Sequence, residues 1–124
     1  MAAGTVTLVA NLVQHEGTSI CTDGTNLYYG ATDHALWQLV ISGGARTKLV
    51  NFNEKIVAVA TDNTSVFVLL GTGRIQKVTI ATSAVAELAT QPIMQNVEGT
   101  SMTYYSNTLY IADKGGNIYS VTTA

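Results

Sequence analysis

A pattern that recurs about every 40 residues constrains the fold of this chain more than any other feature of the sequence. Leu27, Val66 and Leu109 begin equivalent apolar segments, and the steps between them are 39 and 43 residues. Apolar and polar residues alternate along each segment, which is typical of β-strands with one buried face. Clusters of Gly, Asn, Asp and Ser separate the segments and supply the residues that tight turns require. The chain is therefore predicted to be all-β and built from repeats.

The predicted strands fall into three units, and four short strands in a unit of this length are typical of β-propeller blades. We predict a single domain, residues 1–124, with three four-stranded blades at about 14–50, 51–90 and 91–124. The third unit lacks a fourth strand, and the segment Thr5–Val13 is similar to the fourth strands of the other units. The predicted strands are Gly17–Thr22, Leu27–Ala31, Leu36–Ile41 and Ala45–Val50, then Ile56–Thr61, Val66–Leu70, Ile75–Ile80 and Val85–Ala89, then Gly99–Tyr104, Leu109–Ala112 and Asn117–Thr122.

Three blades cannot close around an axis, because propellers begin at about four blades. An open arc would leave apolar sheet faces and a strand edge uncovered, and both are sites of association. We therefore predict a homodimer that closes a six-bladed ring, in which the strand Thr5–Val13 of each chain completes the last blade of the other. A nine-bladed trimer, or a ring whose other blades lie on a different chain, is the alternative. The predicted seam residues are Val6, Leu8, Ile118 and Val121.

Two stretches carry a family resemblance. Leu109-Tyr-Ile-Ala-Asp113 followed by Gly116-Asn-Ile-Tyr-Ser-Val121 resembles the NHL-type blade, and Leu27-Tyr-Tyr29 with Ile41-Ser-Gly-Gly-Ala-Arg-Thr-Lys-Leu49 is similar to the related YWTD-type blade. These families are commonly six-bladed, so the resemblance implies the same closed ring. Their functions include ligand-binding scaffolds, lactonases and lyases, so the resemblance implies no single activity.

Acidic residues and histidines are expected to concentrate on one end of the propeller, where the second strand of each unit turns into the third and where consecutive units are joined. Binding sites tend to lie on loops that a rigid scaffold holds. We therefore predict non-catalytic recognition of a protein or glycan through this loop-rich face, with no catalytic residue assigned. The candidate ligand-binding residues are His15, Glu16, Asp33, His34, Glu54, Glu98 and Asp113.

Glu16 and Glu98 begin equivalent innermost strands, so a dimer would bring four such carboxylates together. Carboxylate oxygens suit Ca²⁺ or Mg²⁺. We nevertheless favour the interpretation that the two residues are solvated turn residues, or accept hydrogen bonds from loop amides, with no cofactor. A hydrolase or lyase of the lactonase or streptogramin-lyase type is the enzymatic alternative, because it would use a His and a Glu with a metal. A structural assembly component, such as a phage particle protein, is the third function class.

Charge and hydropathy exclude other partners. The net charge is −2 with six Lys and Arg residues, and these are dispersed, so a nucleic-acid partner is not expected. The sequence shows no secretory signal and no apolar run of the roughly 18 residues that cross a bilayer. No membrane partner is expected, and a cytoplasmic or virion-associated location is predicted. The single cysteine, Cys21, is predicted to be a small buried apolar residue.

Overall fold

The computed structural model describes residues 4, 5, 8, 17–90, 101–113 and 115–123. Within these ranges the chain forms antiparallel β-sheets and no helix, which confirms the all-β prediction. Each strand predicted between Gly17 and Ala89 matches an observed strand to within one residue. The strands are β1 (Gly17–Thr22), β2 (Asn26–Ala31), β3 (Ala35–Val40), β4 (Arg46–Asn51), β5 (Ile56–Thr61), β6 (Ser65–Leu70), β7 (Arg74–Thr79), β8 (Val85–Thr90), β9 (Ser101–Tyr105), β10 (Thr108–Ala112) and β11 (Ile118–Thr122).

The strands form three meanders, in which each strand pairs with the next one in the chain. Blade one contains β1–β4, blade two contains β5–β8 and blade three contains β9–β11. The innermost strand of blade two, β5, contacts both β1 and β9, and a shared depression lies between the three strands, so the blades radiate from a common axis. In the described part of the chain β11 is an edge strand. The strand predicted at Thr5–Val13 lies mostly outside the described residues, so its pairing with another chain stays a prediction.

Each blade has two faces, which we name by the neighbour that they meet. The trailing face points toward the next blade in the chain, and the leading face points toward the preceding blade. Between blades one and two, Tyr28 and Leu36 on a trailing face pack with Val59 and Val68 on a leading face. Fully burying one such side chain stabilises the fold by about 1.5–3 kcal/mol.

The second blade–blade interface repeats the first. Phe67 and Ile75 on the trailing face of blade two pack with Leu109 and Ile111 on the leading face of blade three. Phe67 also stacks on Tyr104, with ring centroids 5.7 Å apart. Blade two is thus covered on both faces, which explains why every residue of β6 is buried and why Val66–Leu70 is continuously apolar.

Candidate functional site

The predicted loop-rich face exists as one end of the blades. The Phe52 N–H donates to the His34 carbonyl at 2.9 Å, and the Gly71 N–H donates to the Lys55 carbonyl at 2.9 Å. These bonds join the β4–β5 connection to the turns β2–β3 and β6–β7. We name this end the loop face and define it as residues 32–34, 52–55, 71–73, 113 and 115–117. The structure places Asp33, His34, Glu54 and Asp113 there, whereas His15, Glu16 and Glu98 lie outside the described residues.

Asp33 organises the loop face of blade one. Its Oδ1 accepts a hydrogen bond from the Ala35 N–H at 3.1 Å, which closes the β2–β3 turn. The Trp37 Nε1–H lies 3.2 Å from Oδ2, and Lys48 Nζ lies 3.3 Å from the same oxygen. Lys48 Nζ also sits 5.2 Å from the centroid of the Trp37 ring, within cation–π range. The carboxylate therefore fixes both an aromatic ring and a cation.

Asp113 makes an equivalent arrangement in blade three. Its Oδ1 accepts from the Asn117 N–H at 2.9 Å, and its Oδ2 accepts from the Tyr119 hydroxyl at 2.9 Å. The Asn117 hydrogen bond, with that of Tyr119, lowers the pKa of Asp113. The pKa of Tyr119 is raised in turn, chiefly because its hydroxyl donates a hydrogen bond to the Asp113 carboxylate. Trp37 and Tyr119 occupy matching positions in β3 and β11, so blades one and three share a carboxylate–aromatic pair.

Blade two lacks this pair, and Glu54 from the β4–β5 connection takes its place. Its carboxylate accepts a hydrogen bond from Thr72 Oγ1 at 2.8 Å and pairs with the Arg74 guanidinium. Partial burial raises the pKa of Glu54, but the hydrogen bonds from Thr72 and Arg74 and the charge of Arg74 outweigh burial and leave the pKa below its usual value. No sequence pattern predicts this network, because Thr72 and Arg74 lie 18 and 20 residues from Glu54.

His34 differs from these carboxylates because its side chain is exposed on the loop face. Its backbone has a φ of 66°, in the left-handed region, and its N–H donates to the Ala31 carbonyl at 3.1 Å. The turn thus holds the imidazole outward from a fixed backbone. Among the described residues, no three His, Cys, Asp or Glu side chains group in a way that could hold a metal ion. The cation site predicted at Glu16 and Glu98 lies outside those residues and stays a prediction.

The opposite end of the blades carries aspartates that shape turns. Asp23 Oδ1 accepts from the N–H groups of Thr25 and Asn26 at 3.0 and 2.8 Å. Asp62 Oδ1 accepts from Thr64 and Ser65 at 2.9 and 2.7 Å. The Asn26 hydrogen bond is the largest cause of the lowered pKa of Asp23. These two aspartates are therefore structural turn residues.

A polar depression of about 200 Å³ lies between the innermost strands β1, β5 and β9. Cys21 lines it and also packs against the core between blades one and two. Burial, together with the charge of Asp23, raises the pKa of the Cys21 thiol to about 12. The structure therefore supports an apolar role for Cys21, although its side chain is partly rather than fully buried.

The predicted seam residues lie on different surfaces. Leu8 and Ile118 are exposed, at 78% and 75%. Val121 instead packs toward blade two, in the core between blades two and three. Val6 lies outside the described residues. Within those residues, no helix is both long enough and apolar enough to span a bilayer.

No protein-family model and no curated protein matches the chain. Solved structures do match it. The computationally designed Ika8 protein superposes with a TM-score of 0.70 at 19% identity, over 87% of this chain and 33% of that one. YCF48 from Cyanidioschyzon merolae has a TM-score of 0.71 at 14% identity, over 93% of this chain and 36% of its own. BamB from Moraxella catarrhalis has a TM-score of 0.68 at 23% identity, over 86% and 34%.

The chain spans about a third of the length of each of these structures. At such low identity the likeness concerns the fold, because one fold hosts many functions. The sheets of this chain radiate from a common axis as meanders of consecutive strands, and these structural neighbours are β-propellers. The chain therefore has the β-propeller fold.

Proposed function

We propose that this chain is a non-catalytic binding propeller that recognises a protein through its loop face. The observation that carries the proposal is that Asp33, Glu54 and Asp113 all accept internal hydrogen bonds. A general acid or base works best with a pKa near the working pH. The pKa values of Glu54 and Asp113 are lowered instead. These carboxylates thus act as a frame that holds the loops in place.

A rigid loop surface suits recognition, because loops that are already ordered lose little entropy on binding. The β2–β3 turn and the β4–β5 connection are braced by backbone hydrogen bonds. They present His34, Asn53 and Lys55 outward, and each of these side chains is exposed. Such dispersed polar groups resemble the polar part of a protein–protein interface.

The aromatic rings near this face favour a protein over a glycan. Trp37 and Tyr119 direct their polar atoms to Asp33 and Asp113, and both rings are partly buried on leading faces. A sugar-binding site needs an aromatic face that is open to the ligand. The resemblance of Leu109–Val121 to NHL-type blades is part of this proposal, since that family includes binding scaffolds.

Display selection with a peptide library on the immobilised protein tests the proposal. We expect enriched peptides whose binding weakens at least tenfold in His34→Gly. The matched control is Asn63→Gly on the opposite end, where φ is 74° against 66° at His34. Glycine suits both backbones, so each change removes a side chain without strain. The control is expected to bind normally.

Two parallel assays separate the other function classes. The same protein is incubated with a glycan array and with a model lactone, with and without Ca²⁺. Glycan binding that is lost in His34→Gly would mean that the ligand of the loop face is a glycan and not a protein. Turnover of the lactone that His34→Gly abolishes would establish the hydrolase alternative. Selection that enriches no His34-dependent peptide would refute the proposed function.

A further inference from the structure

We propose that two copies of this chain associate through the trailing face of blade three, which packs on the same face of the other copy about a two-fold axis. Like surfaces then meet, in place of the head-to-tail ring that the sequence predicts. The leading face of blade one is not available to a second copy, because Tyr29 and Leu39 are only 5% and 4% exposed within the single chain. The proposal does not depend on what the loop face binds.

The trailing face of blade three is open to solvent. It consists of every second residue of the three strands: β9 from Ser101, β10 from Thr108 and β11 from Ile118. All of these side chains are exposed except Thr108, which is half-buried. The intervening residues, such as Leu109 and Ile111, are buried against blade two. The sheet therefore has one covered face and one uncovered face.

Blade two shows what such a face does when it has a neighbour. Phe67 and Ile75 on its trailing face are fully buried against blade three. Tyr110 and Ile118 hold the same repeat positions in blade three, and they are 42% and 75% exposed. An uncovered apolar surface of this kind marks an association site.

The absence of charge on this face suits pairing with itself. In a two-fold contact, groups near the axis meet their own copies, so a charge there would meet a like charge at a cost in free energy. On the trailing side of β9, β10 and β11 the residues are only Ser, Thr, Tyr, Ala and Ile. Two copies can therefore approach through this face without like-charge repulsion.

The shape of the face also suits a second copy. A mainly apolar hollow of about 230 Å³ opens beside Tyr110, Ala112 and Ile118. Ala112 holds the repeat position of Leu69, a larger side chain that is fully buried in the core between blades two and three. Ile118 protrudes beside the hollow. One face thus carries both a hollow and a protruding side chain, and self-complementarity of this kind is what a two-fold contact requires.

The face is small for a protein–protein interface. It has three strands of five residues each, and neighbouring strands lie about 4.8 Å apart with about 3.4 Å per residue. Stable interfaces bury roughly 1,200–2,000 Å² in total, whereas smaller ones are typical of transient contacts. We therefore expect a reversible dimer whose population rises with protein concentration.

Sedimentation equilibrium of the full chain over a range of concentrations is the first test. We expect the mean mass to rise from the 13.1 kDa of one chain toward twice that value. Tyr110→Glu and Ile118→Glu each place a charge at an exposed position of the single chain. Both should keep the circular dichroism spectrum and weaken dimerisation at least about tenfold. Ile20→Glu and Val85→Glu are the controls. These residues are also exposed, at 60% and 46%, but lie on blades one and two, so the controls should dimerise like the wild type.

Opposite charges at one position test the two-fold axis. Tyr110 lies on β10, the central strand of the sheet, so an axis through the middle of the face brings the two copies of this residue together. Tyr110→Lys alone should be monomeric, as Tyr110→Glu should be, because each charge meets its own copy. Mixing the two variants places opposite charges together, and native mass spectrometry should detect the mixed dimer in preference to either homodimer.

A wild-type mass that stays at one chain up to about 1 mM protein would overturn the proposal, as would a rise to three chains. Loss of the dimer in Ile20→Glu would overturn the pairing of like faces, since it would require a contact through blade one. A dimer that survives both Tyr110→Glu and Ile118→Glu would overturn the choice of face, and a mixture without a mixed dimer would overturn the two-fold axis. None of these outcomes bears on the loop face, because His34 belongs to a turn of blade one. Failure of ligand binding and failure of assembly are separate results.

Discussion

The Tyr119 hydroxyl donates a hydrogen bond to Asp113 Oδ2 across 2.9 Å, which links the third strand of blade three to the turn before it. Trp37 and Asp33 make the same link in blade one. An acidic residue next to an aromatic residue could belong to a catalytic or a sugar-binding site. In both blades the pair instead secures the geometry of a turn.

Asp113→Asn should lower the pKa of Tyr119, because the charged acceptor that retains its proton is lost. Titrating tyrosinate absorbance in the wild type and the variant measures the change, and Tyr119→Phe identifies which part of the curve belongs to Tyr119. Superimposable curves for the wild type and Asp113→Asn would show that the hydrogen bond is not formed in solution.

Stability should decline when the pH falls below about 4, since turn carboxylates such as Asp23 have a lowered pKa in the folded chain. Near that pH the unfolded chain binds more protons than the folded one, so acid favours unfolding. The contribution of Asp23 to the free energy of unfolding is complete above its ordinary pKa. It is lost as the pH falls through the lowered pKa of the folded chain. Melting temperatures between neutral pH and about pH 3 measure it. Asp23→Asn should flatten the decline, and an equally steep curve would exclude Asp23 as a contributor.

Phe67→Ala should destabilise the chain by about 3–5 kcal/mol, because it removes a fully buried ring from the interface between blades two and three. Urea unfolding followed by circular dichroism gives the free energy. Tyr105→Ala is the control, since that aromatic side chain is 74% exposed and its loss should cost less than about 0.5 kcal/mol. Equal losses in the two variants would contradict the packing described for blade two.

The ion pair between Glu54 and Arg74 should contribute modestly to the free energy of unfolding. Both side chains are partly exposed, at 22% and 41%, and solvent screens such pairs to about 0.2–1 kcal/mol. A double-mutant cycle with Glu54→Ala and Arg74→Ala measures the coupling free energy. We expect it to shrink in high salt; a coupling that is insensitive to salt would mean that the contact is not chiefly electrostatic.

Cys21 should resist thiol reagents in the folded chain, because a thiol with a pKa of about 12 is almost entirely protonated at neutral pH. Ellman's reagent should react promptly only after urea unfolding. Rapid labelling of the native chain would mean that the thiol is less buried than the structure has it.

The sequence by itself determined the strands and their grouping into blades. Alternation and turn residues act over a few positions, so β5 could be located at Ile56–Thr61 without any tertiary information. The repeat steps also located three strands of the third unit, which the structure has as β9, β10 and β11. These features depend on local backbone preferences and on a pattern that three copies reinforce.

Only the tertiary structure decided what the polar side chains do. Glu54 meets Arg74 because a connection between blades lies beside a turn of the next blade, and no spacing rule predicts that meeting. Val121 and Ile118 likewise lie on opposite faces of β11. Val121 packs against blade two, whereas Ile118 is exposed. Alternation shows that two such residues face opposite ways. Which of the two is buried depends on the side from which the adjacent sheet packs, and that is a property of the assembled blades.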